Sequence, residues 1–407
     1  MSAARRAALQ TVLLVLPLLF AGSACHRAAV WTAVTPDLTS QFTVQERDRR
    51  SCVRLGTREQ GCFDGIDLHS VAFDSAGAHV AYAVRDGARW AIAVDGRLER
   101  RWDGVGAPRL SPDGLRLAYP ADSGGRWLVV VDGRAGKAYD AIIAGSLRFD
   151  SAGRHVAYAA QRGADVRVVF DGRESAPWRA VGEIVLPPIA YTARDGGGWQ
   201  VVVDGVASRA WEQARDLHLT SVGQVVYIAR AQGRESMVMG ERVVAWHDEV
   251  VLVALGTGDR VGYLARDGDL LKALLSDGRE LARGALTDLA LGAREYAAWV
   301  TTEGQRQTIV TPQGHFGFDL VVAGTLQFIG DGTSWAVLVG DRARRELRVV
   351  VDGRLTGMRL DWSEVTRRVQ QQAGEAGLRS WVAAEARRAL AATVRPVPST
   401  PADPRRP

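Results

Sequence analysis

An Asp-Gly pair set between short apolar runs recurs along most of the 407-residue chain, at Asp95, Asp132, Asp171, Asp204, Asp277 and Asp352. Between strands, such a pair predicts a two-residue type I′ hairpin turn, which needs positive φ at both central positions. One hairpin cannot bury its own faces, so a chain of copies must stack. The turn glycines Gly96, Gly133, Gly172, Gly205, Gly240, Gly278, Gly314 and Gly353 are spaced by 37, 39, 33, 35, 38, 36 and 39 residues. That is slightly shorter than the period of about 40–45 residues common for four-stranded propeller blades.

Each unit reads as four short strands, a to d. In the clearest they are Pro108–Ser111, Arg116–Pro120, Arg126–Val131 and Lys137–Ile142. A Ser-Pro-Asp-Gly turn at Ser111–Gly114 joins a to b, with proline where φ is already fixed and glycine to leave the turn. Aromatic residues repeat at fixed offsets: Tyr82, Tyr119, Tyr158 and Tyr263 on strand b, and Trp102, Tyr139, Trp178, Trp211 and Trp246 on strand d. One aromatic per unit predicts stacking between neighbouring sheets rather than a cofactor cage. Strand c, Leu128–Val131, has no polar alternation, which predicts cover on both faces and hence a closed ring of blades.

These residues carry a resemblance. Arg109-Leu110-Ser111-Pro112-Asp113-Gly114-Leu115-Arg116-Leu117-Ala118-Tyr119 is similar to the F-S-P-D-G-K-x-I-A-[FY] repeat of WD40-like, TolB-type bacterial β-propellers, with Phe73 and Phe149 keeping the phenylalanine in the flanking units. The match spans about residues 68–362 and fades after Ile184, where Leu186-Pro187-Pro188 replaces the a–b turn and Met239-Gly240 lacks its aspartate. It implies an all-β propeller, expected with eight blades from Leu68 to Trp362, or seven with one unit absorbed elsewhere. Residues 42–67 are expected to form a partial unit, with Phe63 on its outer strand. Beyond Trp362, Val365, Val369, Leu378, Trp381, Val382 and Ala386 fall at helical spacing, so 363–392 is expected to form C-terminal helices and 393–407 a disordered tail.

The N-terminus reads as an address. Arg5-Arg6, an apolar core from Val12 to Phe20 and the small residues Ala21–Ala24 make residues 1–24 a signal peptide, followed by a linker over 25–41. The small residues end on Cys25, which resembles the lipobox of bacterial lipoproteins, although Gly22 stands where leucine is usual. That resemblance implies lipid attachment at Cys25, and His26 after it leans towards the outer membrane. Cys52 and Cys62 then remain as a pair across a strand–turn–strand segment, either bridged or as two free thiols.

Net charge is +5, but only Lys137 and Lys272 are lysines and the arginines are scattered without a basic run, so nucleic acid is not an expected partner. No nucleophile elbow, zinc-protease helix or phosphate-binding glycine loop occurs, so no catalytic residue, cofactor or metal is expected. His79 and His155 occupy matching repeat positions and are read as structural. The local candidate for binding a cation or basic peptide is His247-Asp248-Glu249, at the d-to-a crossover where looser loops gather. Two functions stay open. One is a non-enzymatic, lipid-anchored scaffold of the cell envelope that binds a protein, peptide or glycan. The other is a small-molecule hydrolase or lyase with its site in the propeller channel.

Overall fold

The structure, a computed structural model, describes residues 31–35, 40–361 and seven helical residues between 382 and 390. Cys25 and the signal peptide lie outside the described residues, as do the tail and most of the expected helical segment.

Nine antiparallel sheets follow one another along the described chain, each built from strand positions a to d in sequence order. In the third they are Gly104–Val105 with Arg109–Leu110 (a, in two pieces), Leu117–Ser123 (b), Arg126–Val131 (c) and Arg134–Ala135 (d). The a strands of successive sheets touch, as Arg109–Leu110 touches both Gly65–Phe73 and Arg148–Phe149, whereas d strands form no comparable contact among the described residues. The a strands therefore lie innermost and the sheets fan outwards, which is the arrangement of a β-propeller.

Two boundaries differ from the sequence reading. The expected partial unit is a complete sheet, Trp31–Val34, Gln41–Arg47, Arg50–Leu55 and Arg58–Phe63, and it reaches into the expected linker. The described residues thus hold nine sheets in place of eight units with extra strands. Its Phe42-Thr43-Val44 alternation hid it: Phe42, Val44 and Val53 pack on the second sheet, while the opposite face carries Arg54 and Glu59, both exposed. In the third unit, strand d starts at Arg134 and ends at a bridge from Tyr139 to Trp127, while Ala141–Ile142 already belongs to the next sheet, pairing with Gln161 and Ala160.

The turns follow their chemistry. Asp95, Asp132, Asp171, Asp204 and Asp352 have φ of 45–50° and their following glycines 76–86°, as a type I′ turn requires. Four of these five aspartates, Asp95, Asp132, Asp171 and Asp352, also reach back to strand b. Asp132 Oδ1 accepts from the Leu117 amide at 3.0 Å and its Oδ2 from Arg116 Nε at 2.9 Å. Asp95 and Asp171 do the same with the Val80 and Val156 amides and with His79 and His155 Nδ1. The two histidines are turn partners, as their repeat position suggested.

Alternate residues of strand c face opposite neighbours: Leu128 and Val130 pack towards the second sheet, Val129 towards the fourth. The aromatic on d meets the tyrosine on b of the next sheet. Trp102 Nε1 donates to Tyr119 Oη at 3.4 Å, and the rings of Tyr139 and Tyr158, and of Phe63 and Tyr82, sit 6.4 and 6.0 Å apart at their centroids. Eight such cores run in series from the first sheet to the ninth. The ninth buries its other face under Val382 and Ala386 of the C-terminal helix. Among the described residues the hydrophobic cores run from the first sheet to the ninth, and none joins the ninth to the first. Cys52 and Cys62 lie directly opposite each other on strands c and d of the first sheet and form a disulfide.

Candidate functional site

The sequence candidate His247-Asp248-Glu249 does sit at a d-to-a crossover, but its three side chains do not converge. Asp248 Oδ2 accepts from the Gly268 amide at 2.8 Å, capping the b–c turn of the next strand pair. Asp103, Asp140 and Glu212 hold Gly124, Gly163 and Gln232 in the same manner, so this acid is a repeated turn fastener. Glu249 Oε2 accepts from Arg266 Nε at 3.1 Å.

His247 is buried and occupies the slot that Trp102 and Tyr139 occupy in earlier sheets. Those residues bridge Trp90 and Trp127, and His247 pairs with Glu235 at the equivalent position. Its Nδ1 donates to Asp267 at 3.0 Å and its Nε2 faces Tyr263 Oη at 3.3 Å. A register shift between Ser236 and Val238 turns Trp246, the expected stacking residue, onto the opposite face, against Trp211. The fixed six-residue offset therefore fails in this sheet. Burial pushes the Asp267 carboxyl up, but hydrogen bonds from His247 and Lys272 outweigh it and hold that group below its ordinary value.

The units after Ile184, where the repeat decays, replace apolar contacts with charge. Glu235 takes the place of Trp90, Trp127 and Trp199, and is buried with Arg215 Nη2 at 2.7 Å and the Val250 amide at 2.9 Å. Arg215 also reaches Asp216 and the Val250 carbonyl of the next sheet. Glu183 accepts from the Asp216 and Leu217 amides at 2.9 and 2.8 Å. Asp288 does likewise with the Gly324 amide, at 2.9 Å. Three acids on the a strands, Glu183, Asp216 and Asp288, stand beside a bulge. Glu183 and Asp288 thereby tie their sheets to the next one along the chain. Among the described residues no group of three or more His, Cys, Asp or Glu side chains is arranged to hold a metal.

Open polar capacity lies elsewhere, in the most regular units. A hollow of about 300 Å³ is lined by the ends of three a strands, with Phe73, Ser75, Arg109, Pro112, Arg148 and Phe149 among its walls. Arg109 pairs in register with Ala118, and Arg148 with Ala157. At the same register the second, fifth, seventh and eighth sheets carry Ala72, Val185, Ala254 and Ala290, and the sixth and ninth carry His218 and Gln327. Neither arginine makes a hydrogen bond or ion pair with a described residue. Burial, and next the Arg148 charge, hold the Arg109 guanidinium below its ordinary value. Arg109 nevertheless keeps exposed surface, the combination expected of a side chain that borders an opening crowded by protein.

Sequence reasoning missed this pair. Its candidate lies at the looser-loop end, whereas the hollow lies at the tight a–b turns of the best-matching units. The available signal was an arginine at one repeat position in two adjacent units, Arg109 and Arg148, where four other sheets carry small or apolar residues.

No protein-family profile and no curated protein sequence matches the chain. Solved structures resemble it in chain path. A eukaryotic initiation factor structure is 9% identical, with a TM-score of 0.48, covering 82% of this chain and 96% of that one. The propeller domain of the trilobed protease from Pyrococcus furiosus is 11% identical, with a TM-score of 0.32, over 61% and 93% of the two chains. TolB from Acinetobacter baumannii is 16% identical, with a TM-score of 0.25, over 61% of each. The β-propeller assignment stands on the sheet topology of this chain itself.

Proposed function

We propose that this chain is a non-enzymatic binding protein of the bacterial cell envelope, exported, anchored through acylated Cys25 and using its propeller to hold a protein, peptide or glycan. The observation that carries the binding role is the hollow at Arg109 and Arg148, which combines a concave surface with unspent donors. On other inner strands Glu183, Arg215 and Asp288 are already engaged by backbone groups of the next sheet. The address rests on the signal-peptide pattern and on the cysteines. If Cys25 is acylated, the remaining two are the disulfide pair, which suits an oxidising compartment. Two acyl signals suffice for stable anchoring where one chain does not.

The anchoring is tested by metabolic labelling with a radioactive fatty acid in cells expressing the wild type or Cys25→Ala. Label on the wild type alone, with the wild type in the outer-membrane fraction, is the expected result. Equal labelling, or a wild type wholly in the soluble fraction, contradicts it. Affinity capture from detergent-solubilised envelopes then reads the partner.

A further inference from the structure

Arg109 and Arg148 sit on touching a strands and line a hollow whose walls also include Phe73 and Phe149. Both arginines are exposed, so water moderates the repulsion between the two like charges, and a counter-charge held between them would relieve it further. Most other arginines of these units are paired: Arg116 with Asp132, Arg126 with Asp140, Arg101 with Asp86. Arg97, Arg134, Arg154 and Arg173 form no ion pair either, but they are exposed and do not line the hollow, so Arg109 and Arg148 are set apart by their place in the concavity. A guanidinium fork matches the planar geometry of a carboxylate, and ionised hydrogen bonds of this kind are the stronger class. The volume, about 300 Å³, lies at the lower end of ligand pockets, which suits one or two residues of a chain rather than a large ligand. Leu110, Pro112 and Leu147 complete walls that favour a short apolar stem behind the anion.

We propose that this hollow binds a carboxylate-bearing peptide segment, with Arg109 and Arg148 clamping the carboxylate and Phe73 and Phe149 flanking its apolar neighbour. The site deepens the binding role proposed above by naming its ligand chemistry. It also places recognition at the tight-turn end of the sheets. Arg116, stacked 5.3 Å from the Phe149 ring and held by Asp132 and the Gly153 carbonyl, fixes that ring without competing for the ligand.

The test is calorimetric titration of the full mature protein, in detergent, with acetyl-Phe-Asp-amide and its near-isosteric partner acetyl-Phe-Asn-amide. A preference for the aspartyl peptide of about tenfold or more is expected, falling steeply when salt is raised to about 0.5 M. Arg109→Gln with Arg148→Gln should bring the two peptides within about twofold of each other, while the control Arg134→Gln, on an exposed c–d turn, keeps the preference. Circular dichroism confirms that each variant is folded, and the two single substitutions report if the double one is not. Equal affinities for the two peptides in the wild type, or a preference untouched by the double substitution, would overturn the proposal. Binding of inorganic phosphate without binding of the aspartyl peptide would overturn it too. These results leave envelope anchoring untouched, since fatty-acid labelling of Cys25 reads that separately.

Discussion

The third and sixth sheets share one four-strand plan and differ at an interior slot. In the third, Trp127 packs beneath the a strand and Tyr139 pairs with it across the sheet. In the sixth, Glu235 and His247 take those places, and Arg215 enters from strand a to neutralise the buried acid. The regular sheet is held by apolar area, which is indifferent to the identity of distant residues. The irregular one is held by directed bonds, each of which needs its partner. Decay of a repeat pattern here marks a change in how neighbouring sheets are joined.

Breaking the apolar version should cost most. Trp102→Ala empties the stacking slot against Tyr119 and is expected to destabilise by about 3–5 kcal/mol, read from urea unfolding with unchanged m-value. His247→Ala in the matching slot of the sixth sheet should cost less, about 1–3 kcal/mol, because the smaller ring buries less and loses one hydrogen bond. Next comes the acid. Glu235→Ala leaves Arg215 facing a hole and is expected to cost about 3 kcal/mol, whereas Glu235→Trp with Arg215→Gly moves the sixth sheet towards the apolar plan and should cost clearly less. A double-mutant cycle gives the coupling directly.

The turns sharpen the contrast on a smaller scale. Asp132 serves the Leu117 amide and Arg116, while Asp277 in the seventh sheet serves only the Arg279 amide within its own turn. Asp132→Ala should therefore cost about 1–2 kcal/mol and Asp277→Ala under about 0.5 kcal/mol in the same assay. The smallest effect is a titration. The hydrogen bond to Asp95 raises His79 above 6.5, offset in part by burial and aided by the Asp95 charge. A raised folded value means that its contribution is present in full below about 6.5 and is lost as pH rises through the folded midpoint. Ring-proton NMR should place that midpoint above 6.5, and Asp95→Asn should bring it down.

Much of this was legible in the residues. Asp-Gly turns declare themselves because few other pairs tolerate positive φ twice, and Leu128–Val131 declares burial on both faces because it lacks alternation. The first sheet was half-hidden because its outer face is polar, so Phe42-Thr43-Val44 reads like a surface strand. The shift at His247 was invisible, since a one-residue bulge moves every following side chain to the other face without altering composition. The arginine pair escaped for a further reason. Each arginine alone is an ordinary solvated residue, and only the contact between Arg109–Leu110 and Arg148–Phe149 makes them a pair.

The contrast between spent and unspent charge has a direct readout in thermal melting, compared across two sets of substitutions. Replacing Arg109 and Arg148 together by glutamine removes an unpaired repulsion and is expected to raise Tm by about 1–3 °C, while Arg215→Gln breaks a staple and lowers it by several degrees. A fall in Tm for the Arg109/Arg148 variant comparable to that of Arg215→Gln would contradict this, because it would mean that those two arginines are also structural.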